Sequence, residues 1–405
     1  MTDATTSVPA ASAASAGPDR SAQRYRAFGT SVFSRLTELA NSHGAVNLAQ
    51  GFPDFGPPPA LIEAAAEAMA AGVNQYSPSV GLPALREAVA AHVQRHHGAV
   101  VDPVSEVTIT VGATEALWCA VQAFVEPGDE VLIVEPFYES YPACVVATGA
   151  TVRYLTTRWP DFRITEDALE HACSARTKLI VVNTPMNPTG RVLTREELAL
   201  VGRFAARYGA VIVSDEPYEH LVYSGRHLPV AGVPECSDRT ITVSSVSKTF
   251  NATGWRVGWA LAPAPLTAAL RRVHQFVTFA GPSPLQAACA AMLSSAAMPG
   301  YVESLRENYA RRRETLLGYL TRPELGLEVR EPEGAFFVLT RCPGDDVAYC
   351  TSLIERAGVA AIPASVFYAD PDAGRGLVRF AFCKRIETLE AAGDRLLAAA
   401  RAQAI

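Results

Sequence analysis

The sequence predicts an α/β fold: a large domain with a seven-stranded, mainly parallel sheet between helices, and a smaller α+β domain. First, seven short apolar runs, rich in β-branched residues, follow one another between residues 107 and 261. Second, helical patterns separate most of these runs, an alternation typical of parallel sheets with right-handed crossovers. Third, the pattern changes beyond residue 299, where a long helix precedes short strands and helices in a different order.

Each element follows from its periodicity. The strands of the large sheet are predicted at 107–111, 130–134, 151–155, 178–182, 210–213, 240–243 and 256–261. Helices are predicted at 25–40, 59–70, 82–97, 115–124, 166–172, 195–208, 301–320, 349–357 and 386–402. Short extended segments are expected at 46–55, 359–363 and 377–383. The resulting division is a flexible tail at 1–22, a large domain at 60–295, and a small domain built from 23–59 and 296–405.

Composition restricts the classes of function. A formal net charge of -6 with 19% charged residues argues against a nucleic-acid or membrane-surface partner. No apolar run reaches the roughly 18 residues that a membrane span needs, and residues 1–17 lack the basic start and apolar core of a secretory signal. The eight cysteines are scattered without a C-x-x-C pair, which favours reduced, buried thiols and a cytoplasmic location.

One histidine pair has the spacing of metal ligands. His92 and His96 are four residues apart on a predicted helix, so both rings lie on one face. No third ligand is visible in the sequence, and the scattered cysteines form no zinc motif. The expectation is therefore that the chain holds no metal.

The chemistry is predicted to centre on Lys248. This lysine follows the predicted strand 240–243 and lies among small hydroxyl residues, with Arg256 eight positions later. Ligands bind at strand ends in α/β sheets. A lysine amine can form a Schiff base with a carbonyl compound, while hydroxyls such as that of Ser245 and a guanidinium hold a phosphate, the combination that pyridoxal 5′-phosphate requires. On this motif alone, a surface lysine in a polar loop is the alternative.

Three further positions could contact such a ligand. Gly112-Ala113-Thr114 joins a strand to a helix start, where free backbone N–H groups bind anions, although Thr114 could equally be an ordinary N-cap. Tyr138 also follows a strand and could either stack on a flat heteroaromatic ring or belong to the core. At Gly51 the backbone could approach a ligand closely, and a plain turn explains the glycine equally well.

Four polar residues complete the candidate site. Asn187 lies in a proline-framed loop, and its amide can serve a ring hydroxyl or a carboxylate. Asp215 ends the fifth strand, where a buried carboxylate needs a partner such as a protonated pyridine nitrogen. Tyr218, three residues later, could hydrogen-bond the phenolic oxygen of that ring. Arg379 lies in an apolar strand, where its planar guanidinium suits capture of an α-carboxylate; a structural salt bridge is the alternative.

Together these motifs resemble those of the class I/II aminotransferases, which are fold type I pyridoxal-phosphate enzymes, and in particular the branch of kynurenine/glutamine transaminases and succinyldiaminopimelate aminotransferases. The resemblance covers about residues 46–385. It rests on five motifs in family order: N-P-T-G at 187–190, D-E-P-Y at 215–218, S-V-S-K at 245–248, G-W-R-V-G at 254–258 and V-R-F at 378–380. It implies transfer of an amino group from an L-amino acid to a 2-oxo acid.

The resemblance also implies roles around the cofactor ring. Lys248 would form the Schiff base and act as general base, with Asp215 on the pyridine nitrogen. Tyr218 and Asn187 would reach the ring oxygen, and Tyr138 would stack on the ring face. Lys248, Asp215 and Tyr218 are therefore the expected catalytic residues.

The remaining implied roles concern the phosphate, the substrate and a second subunit. The phosphate would be held by the Ala113 and Thr114 amides, Ser245 and Arg256, with Ser247 as a lesser candidate. The substrate carboxylate would be held by Arg379, Asn187 and the Gly51 backbone. Tyr76, which by itself suggests only a packing role, matches a tyrosine that reaches the phosphate of the neighbouring subunit. The family thus implies a homodimer with shared active sites.

The resemblance leaves the substrate and the reaction outcome open. Residues 279–284 contain no arginine that could bind a side-chain carboxylate, so strict aspartate specificity is not expected. The loops expected to line the pocket, 28–33, 279–284 and 364–368, suggest an uncharged or aromatic side chain. Elimination or cyclisation on the same cofactor is one alternative. A cofactor-binding regulator is another, although such regulators carry a basic DNA-binding domain that the short uncharged tail does not resemble.

Overall fold

The computed structural model describes residues 20–26, 32–403 and 405, and it confirms the predicted α/β class. The strands are β1 (Val46–Asn47), β2 (Val107–Thr110), β3 (Glu130–Glu135), β4 (Thr151–Thr156), β5 (Thr177–Asn183), β6 (Val211–Asp215), β7 (Thr240–Ser245), β8 (Gly258–Leu261), β9 (Glu328–Arg330), β10 (Phe337–Arg341), β11 (Val359–Ala360), β12 (Ile362–Pro363) and β13 (Leu377–Ala381).

The α-helices are α1 (Val32–Ser42), α2 (Pro59–Ala70), α3 (Pro83–His97), α4 (Gly112–Phe124), α5 (Ser140–Val146), α6 (Glu166–Ala172), α7 (Arg195–Tyr208), α8 (Val246–Thr249), α9 (Ala264–His274), α10 (Ser283–Ser294), α11 (Met298–Leu320), α12 (Asp346–Ser352) and α13 (Ile386–Arg401). A π-helical turn at Leu353–Ala357 continues α12. Single 3₁₀ turns lie at Gln23–Tyr25, Val230–Gly232, Thr253–Trp255, Pro323–Leu325, Ala364–Phe367 and Pro371–Ala373.

Seven strands form the large sheet, in the order β2-β8-β7-β6-β5-β3-β4. Neighbouring strands from β7 to β4 pair in parallel, whereas β8 is antiparallel to both β2 and β7. All seven predicted strands are present, and their ends shift by only one or two residues. The prediction of a mainly parallel sheet is therefore confirmed.

Both faces of this sheet are covered, as the continuous apolar runs require. Side chains alternate along β3, so Val131 and Ile133 pack with helices α4, α5 and α9. Leu132 and Val134 point to the opposite face and pack with α6 and α7. The sheet is thus a rigid layer between two cores, and its strand ends are fixed in position.

A second sheet of four antiparallel strands has the order β12-β13-β10-β9, and β1 pairs in parallel with β11. The predicted run 359–363 becomes two strands because β11 bonds to β1 whereas β12 bonds to β13. Through β1 the N-terminal segment joins elements from beyond residue 296. This pairing supports the domain division given above, which stays a prediction.

Several helices begin at residues other than those predicted, and four α-helices, α5, α8, α9 and α10, lie outside the predicted helical ranges. The helix expected at 25–40 is α1, which begins at Val32, and residues 27–31 lie outside the described part of the chain. Neither α5 nor α10 was predicted. Helix α10 packs against α2 and α3 and is apolar on most sides, so no amphipathic period marks it in the sequence. Its start at Ser283 also ends the loop expected at 279–284.

The cysteines agree with the expectation from their spacing. All eight are buried free thiols. In the ranges that the structure describes, no helix combines the length and the apolar character needed to cross a membrane.

Gly393 provides a test of the packing between α13 and α11. A Cβ at Gly393 would overlap the ring of Tyr319 at its point of attachment, where the ring cannot move away independently. We expect Gly393→Ala to lower the free energy of unfolding by about 1–3 kcal/mol, because overpacking outweighs the helix propensity of alanine. Gly318→Ala is the matched control: it is exposed on α11 with no atom within 4 Å of its Cβ, and should stabilise by up to about 1 kcal/mol. Urea unfolding measures both, and a Gly393→Ala variant as stable as Gly318→Ala would contradict the packing.

Candidate active site

The carboxyl ends of β5, β6 and β7 lie along one edge of the large sheet. Asn183 at the end of β5 is opposite Asp215 at the end of β6, and Asp215 is opposite Val243 of β7. Strand β2 runs in the same direction as β7, since β8 is antiparallel to both. The start of α4 therefore reaches the same edge, where α/β sheets bind ligands.

A cavity of about 280 Å³ opens at this edge. Eleven of the twelve predicted site residues line it: Gly51, Ala113, Thr114, Tyr138, Asn187, Asp215, Tyr218, Ser245, Lys248, Arg256 and Arg379. Ser247, the lesser candidate, lines it too. Tyr76 does not line it: its ring is 85% exposed and stands edge-on to Phe279 at 5.4 Å.

Asp215 is the buried anion of the cavity. Its Oδ2 accepts a hydrogen bond from the hydroxyl of Tyr141 at 2.6 Å, whereas its Oδ1 is buried and has no partner among the described residues. Burial raises the pKa of Asp215 to about 6, against the Tyr141 hydrogen bond and the charge of Lys248. An unpartnered buried carboxylate oxygen is costly. It indicates a missing cationic donor, such as the protonated nitrogen of a heteroaromatic ring.

Lys248 supplies a reactive amine to the same cavity. It lies on the single-turn helix α8, directly after β7, and its Nζ donates to the Gly51 carbonyl at 3.3 Å. Burial lowers its pKa to about 8, and the charges of Arg256 and Arg379 act in the same direction. Much of the amine is therefore unprotonated, and nucleophilic, near pH 8.

An anion cup lies at the start of α4. The backbone N–H groups of Ala113 and Thr114 open this 13-residue helix, and Ser245 and Arg256 line the same end of the cavity. The Oγ of Ser247 is buried there without a described partner, a donor free for a ligand.

Two glycines bring the parts of this cup together. Gly112 has φ of 74°, and a Cβ on it would overlap the guanidinium of Arg256. Gly258 pairs with both Thr110 and Ser245, and a Cβ there would lie 2.6 Å from the Gly112 carbonyl carbon. Only residues without side chains allow the helix start and the β7 end to lie this close.

Arg379 is the buried cation on the opposite side, 3% exposed. It donates from Nη1 to Asn187 Oδ1 at 2.8 Å and from Nη2 to the Ala49 carbonyl at 2.7 Å. Its Nε has no described partner, and no carboxylate in the described ranges forms an ion pair with it. Among the residues that the structure describes, Arg379 therefore has no structural salt bridge. Burial lowers its pKa to about 10, which still leaves it charged at neutral pH.

Sequence reasoning missed several lining residues. Tyr141 carries no motif and lies on the unpredicted helix α5, yet it bonds Asp215. Phe337 and Phe367 flank the Arg379 guanidinium, with ring centroids 4.3 and 4.9 Å from its Cζ. Of the three loops expected to line the pocket, 364–368 contributes Phe367, whereas no residue of 279–284 lines this cavity. Residues 28–31 lie outside the described part of the chain.

The residues present fit pyridoxal phosphate on observations of this chain alone. The unpartnered Asp215 Oδ1 suits the ring nitrogen, the α4 cup with its free Ser247 hydroxyl suits the phosphate, and Lys248 suits the aldehyde.

Comparison with known proteins agrees with this chemistry. Residues 43–396 match the family described as aminotransferase class I and II. A probable N-succinyldiaminopimelate aminotransferase of Mycobacterium tuberculosis is 45% identical, over 92% of this chain and 97% of the relative. The methionine aminotransferase of Escherichia coli is 40% identical, over 91% of this chain and 95% of the relative.

Solved structures give the same picture. Escherichia coli YbdL, for which a methionine aminotransferase function was identified, superposes with a TM-score of 0.90 at 39% identity, covering 94% of this chain and all 100% of that chain. N-succinyldiaminopimelate aminotransferase from Mycobacterium tuberculosis superposes with a TM-score of 0.89 at 43% identity, covering 93% and 99%. These relatives favour amino transfer over elimination, cyclisation or a regulatory role. The chain belongs to the class I and II aminotransferases of fold type I, and it is a pyridoxal-phosphate-dependent enzyme that moves an amino group from an L-amino acid to a 2-oxo acid.

Proposed function

We propose that Lys248, Asp215 and Tyr218 carry the catalysis, and that Arg379 with Asn187 and the Gly51 backbone holds the substrate carboxylate. One observation carries this assignment: a buried, unpartnered carboxylate oxygen of Asp215 lines the same cavity as a lysine whose pKa burial has lowered to about 8. When bound, pyridoxal phosphate supplies a ring that accepts the electron pair left at the substrate Cα.

Lys248 would hold the cofactor through a Schiff base and afterwards work as the general base. A base is most effective when its pKa lies near the working pH, and the lowered pKa of Lys248 meets this condition. Its Nζ would take the proton from the substrate Cα and later return a proton.

Asp215 would keep the ring nitrogen protonated. The hydrogen bond from Tyr141 fixes one carboxylate oxygen, so the other is oriented toward the ligand. Tyr218, 5% exposed, is held edge-on by Phe336 and Phe337, at centroid distances of 5.0 and 6.0 Å. Its hydroxyl would serve the ring oxygen together with Asn187, and Tyr138 would cover the ring face.

Arg379 would orient the substrate. Its guanidinium is held by Asn187 and the Ala49 carbonyl and lies between two phenyl rings, so it cannot swing away when the ligand is absent. A fixed carboxylate determines which Cα bond stands perpendicular to the cofactor ring, and hence which bond breaks.

We propose a substrate with an uncharged side chain. Leu117, Phe337 and Phe367 give the cavity an apolar part, and its only basic lining residues in the described chain already have other roles. The relatives named above act on methionine and, for the probable enzyme, on a succinylated amino acid. The side chain of methionine is uncharged and agrees with this proposal, whereas succinyldiaminopimelate carries carboxylates beyond its reacting end and does not.

We also propose a homodimer in which Tyr76 reaches the phosphate of the neighbouring site. Three exposed side chains follow α9 in one turn, Phe276, Val277 and Phe279, and Tyr76 packs on the last of them. This apolar patch is of the kind that marks protein interfaces. A cytoplasmic location fits the eight buried free thiols.

Activity tests the assignment of Lys248 and of the substrate class together. We expect the wild type to form 2-oxo acid from methionine or phenylalanine, coupled to amination of 2-oxoglutarate, with higher kcat/KM than from aspartate. Lys248→Ala should lose at least about 100-fold in this rate, because general-base catalysis is removed. Lys178→Ala, a change of an exposed lysine on β5, is the control and should be fully active. Retained turnover in Lys248→Ala, or a preference for aspartate, would contradict the proposal.

The pH dependence of lysine labelling tests the environment of the amine. The chain contains three lysines, at 178, 248 and 384. Because the pKa of Lys248 is lowered to about 8, its amine becomes neutral, and reactive, above that pH. A lysine amine in water has a pKa of about 10.4. Pulse labelling of the cofactor-free enzyme with an amine reagent, followed by peptide mass spectrometry, should give a midpoint near pH 8 for the peptide that contains Lys248. A Lys248 midpoint as high as that of a lysine amine in water would show that Lys248 is not buried as described.

Light scattering tests the dimer. The expected mass is about twice 43.1 kDa, and Phe276→Asp should shift it toward the monomer because a charge enters the apolar patch. Val104→Asp places the same charge on a residue that is 66% exposed elsewhere, and should leave the dimer intact. A wild-type monomer, or a dimer insensitive to Phe276→Asp, would refute this interface.

A further inference from the structure

A histidine cluster lies behind the catalytic edge of the sheet, and the aminotransferase reaction does not use it. Five of the chain's eight histidines belong to it: His92, His96 and His97 from α3, and His220 and His227 from the segment after β6. The ring centroids of His92, His96 and His220 are separated from one another by 4.3 to 5.0 Å. Solvent reaches the cluster through a neighbouring cavity of about 470 Å³ that is lined by His96, His97, Glu219, His220 and His227 among others.

Three of these side chains have the geometry of metal ligands. One ligand atom each from His92, Glu219 and His220 can be chosen so that all three lie within 4.8 Å of one another. The two Nε2 atoms of His92 and His220 are 2.9 Å apart. Ligands of a tetrahedral zinc ion, with metal–nitrogen distances of about 2.0–2.1 Å, are about 3.3 Å apart. Side-chain movements on the order of 1 Å would therefore bring the three ligand atoms to the spacing of a zinc site.

The present hydrogen bonds leave this cluster incomplete. The two facing Nε2 atoms share one proton, so they form a single hydrogen bond in which one ring donates and the other accepts. His92 is 1% exposed, and its Nδ1 has no partner among the described residues. The Nε2 of His96 is likewise buried and unpartnered. Buried imidazole nitrogens normally find a partner.

The donor atoms in the cluster suit a cation. Glu219 supplies a carboxylate oxygen, and His92 and His220 face each other through their Nε2 atoms. Each neutral imidazole has one ring nitrogen with a lone pair that can bind a metal. Glu219 already accepts bonds from His97 and Ser244, at 2.7 Å each. Such outer contacts orient a ligating carboxylate, which has further lone pairs.

We propose that His92, His220 and Glu219 bind a divalent transition-metal ion of the zinc type. The sequence showed only the His92 and His96 pair, and the fold supplies Glu219 and His220 from more than 120 residues away. Binding needs no redox step: the ring that donates in the Nε2 pair moves its proton to Nδ1, and both Nε2 lone pairs then face the metal. Glu219 follows Tyr218 and bonds Ser244, the neighbour of Ser245, so the ion would brace the segment that carries the cofactor site.

Metal titration of the holoenzyme tests this site. After chelator treatment and dialysis, we expect one Zn²⁺ per chain in competition with a chromophoric chelator, and a tetrahedral Co²⁺ absorption band on cobalt substitution. Glu219→Gln and His220→Asn keep most of the side-chain volume and should each weaken Zn²⁺ binding at least about 100-fold, since loss of a ligand should exceed the cost of losing an outer-shell partner. His92→Gln should behave in the same way.

His43→Ala and His171→Ala are matched controls, because both residues are exposed and lie outside the cluster. Both should bind Zn²⁺ like the wild type. Bound-cofactor absorbance and the melting temperature without metal show that each variant is folded, and only the wild type and controls should melt higher with Zn²⁺. Absence of stoichiometric binding in the wild type would overturn the proposal. So would binding that survives all three cluster substitutions, because the ion would then sit on surface histidines.

Discussion

The interaction on which the site depends is the contact between the Tyr141 hydroxyl and Asp215. It satisfies one oxygen of a carboxylate that is only 5% exposed and leaves the other without a partner. Free of ligand, this oxygen costs the fold stability, and burial raises the pKa of Asp215 to about 6. A cationic ring nitrogen would remove that cost. Asp215 therefore favours a ligand that carries a positive charge next to its Oδ1 atom.

The sheet makes this arrangement rigid. The parallel register of β5, β6 and β7 sets Asn183, Asp215 and Ser245 along one edge, and two packed cores prevent the strands from shifting. Gly112 and Gly258 bring the α4 start against this edge. The amine, the carboxylate and the anion cup are therefore preorganised, and such preorganisation is the main source of electrostatic catalysis.

Sequence patterns predicted what is local and missed what depends on tertiary packing. The seven strands and the polar residues at their ends follow from short motifs, so eleven predicted residues meet in one cavity. Helix α10 was not predicted because it is buried on most sides and its sequence therefore lacks an amphipathic period. The role of Tyr141 was not predicted because no local motif indicates a hydrogen bond to Asp215, which is 74 residues away in the sequence. The histidine cluster was not predicted either, because His92 and His220 are 128 residues apart in the sequence.

The most direct measurement is peptide mapping after borohydride reduction of the holoenzyme, which makes the bond between cofactor and lysine permanent. Only three lysines compete: Lys178 is exposed on β5, Lys384 is buried and donates to the Phe52 carbonyl, and Lys248 lines the cavity with Asp215. We expect the pyridoxyl group on the peptide that contains Lys248 and on no other. A pyridoxyl group on Lys178 or Lys384, or none at all, would contradict the account.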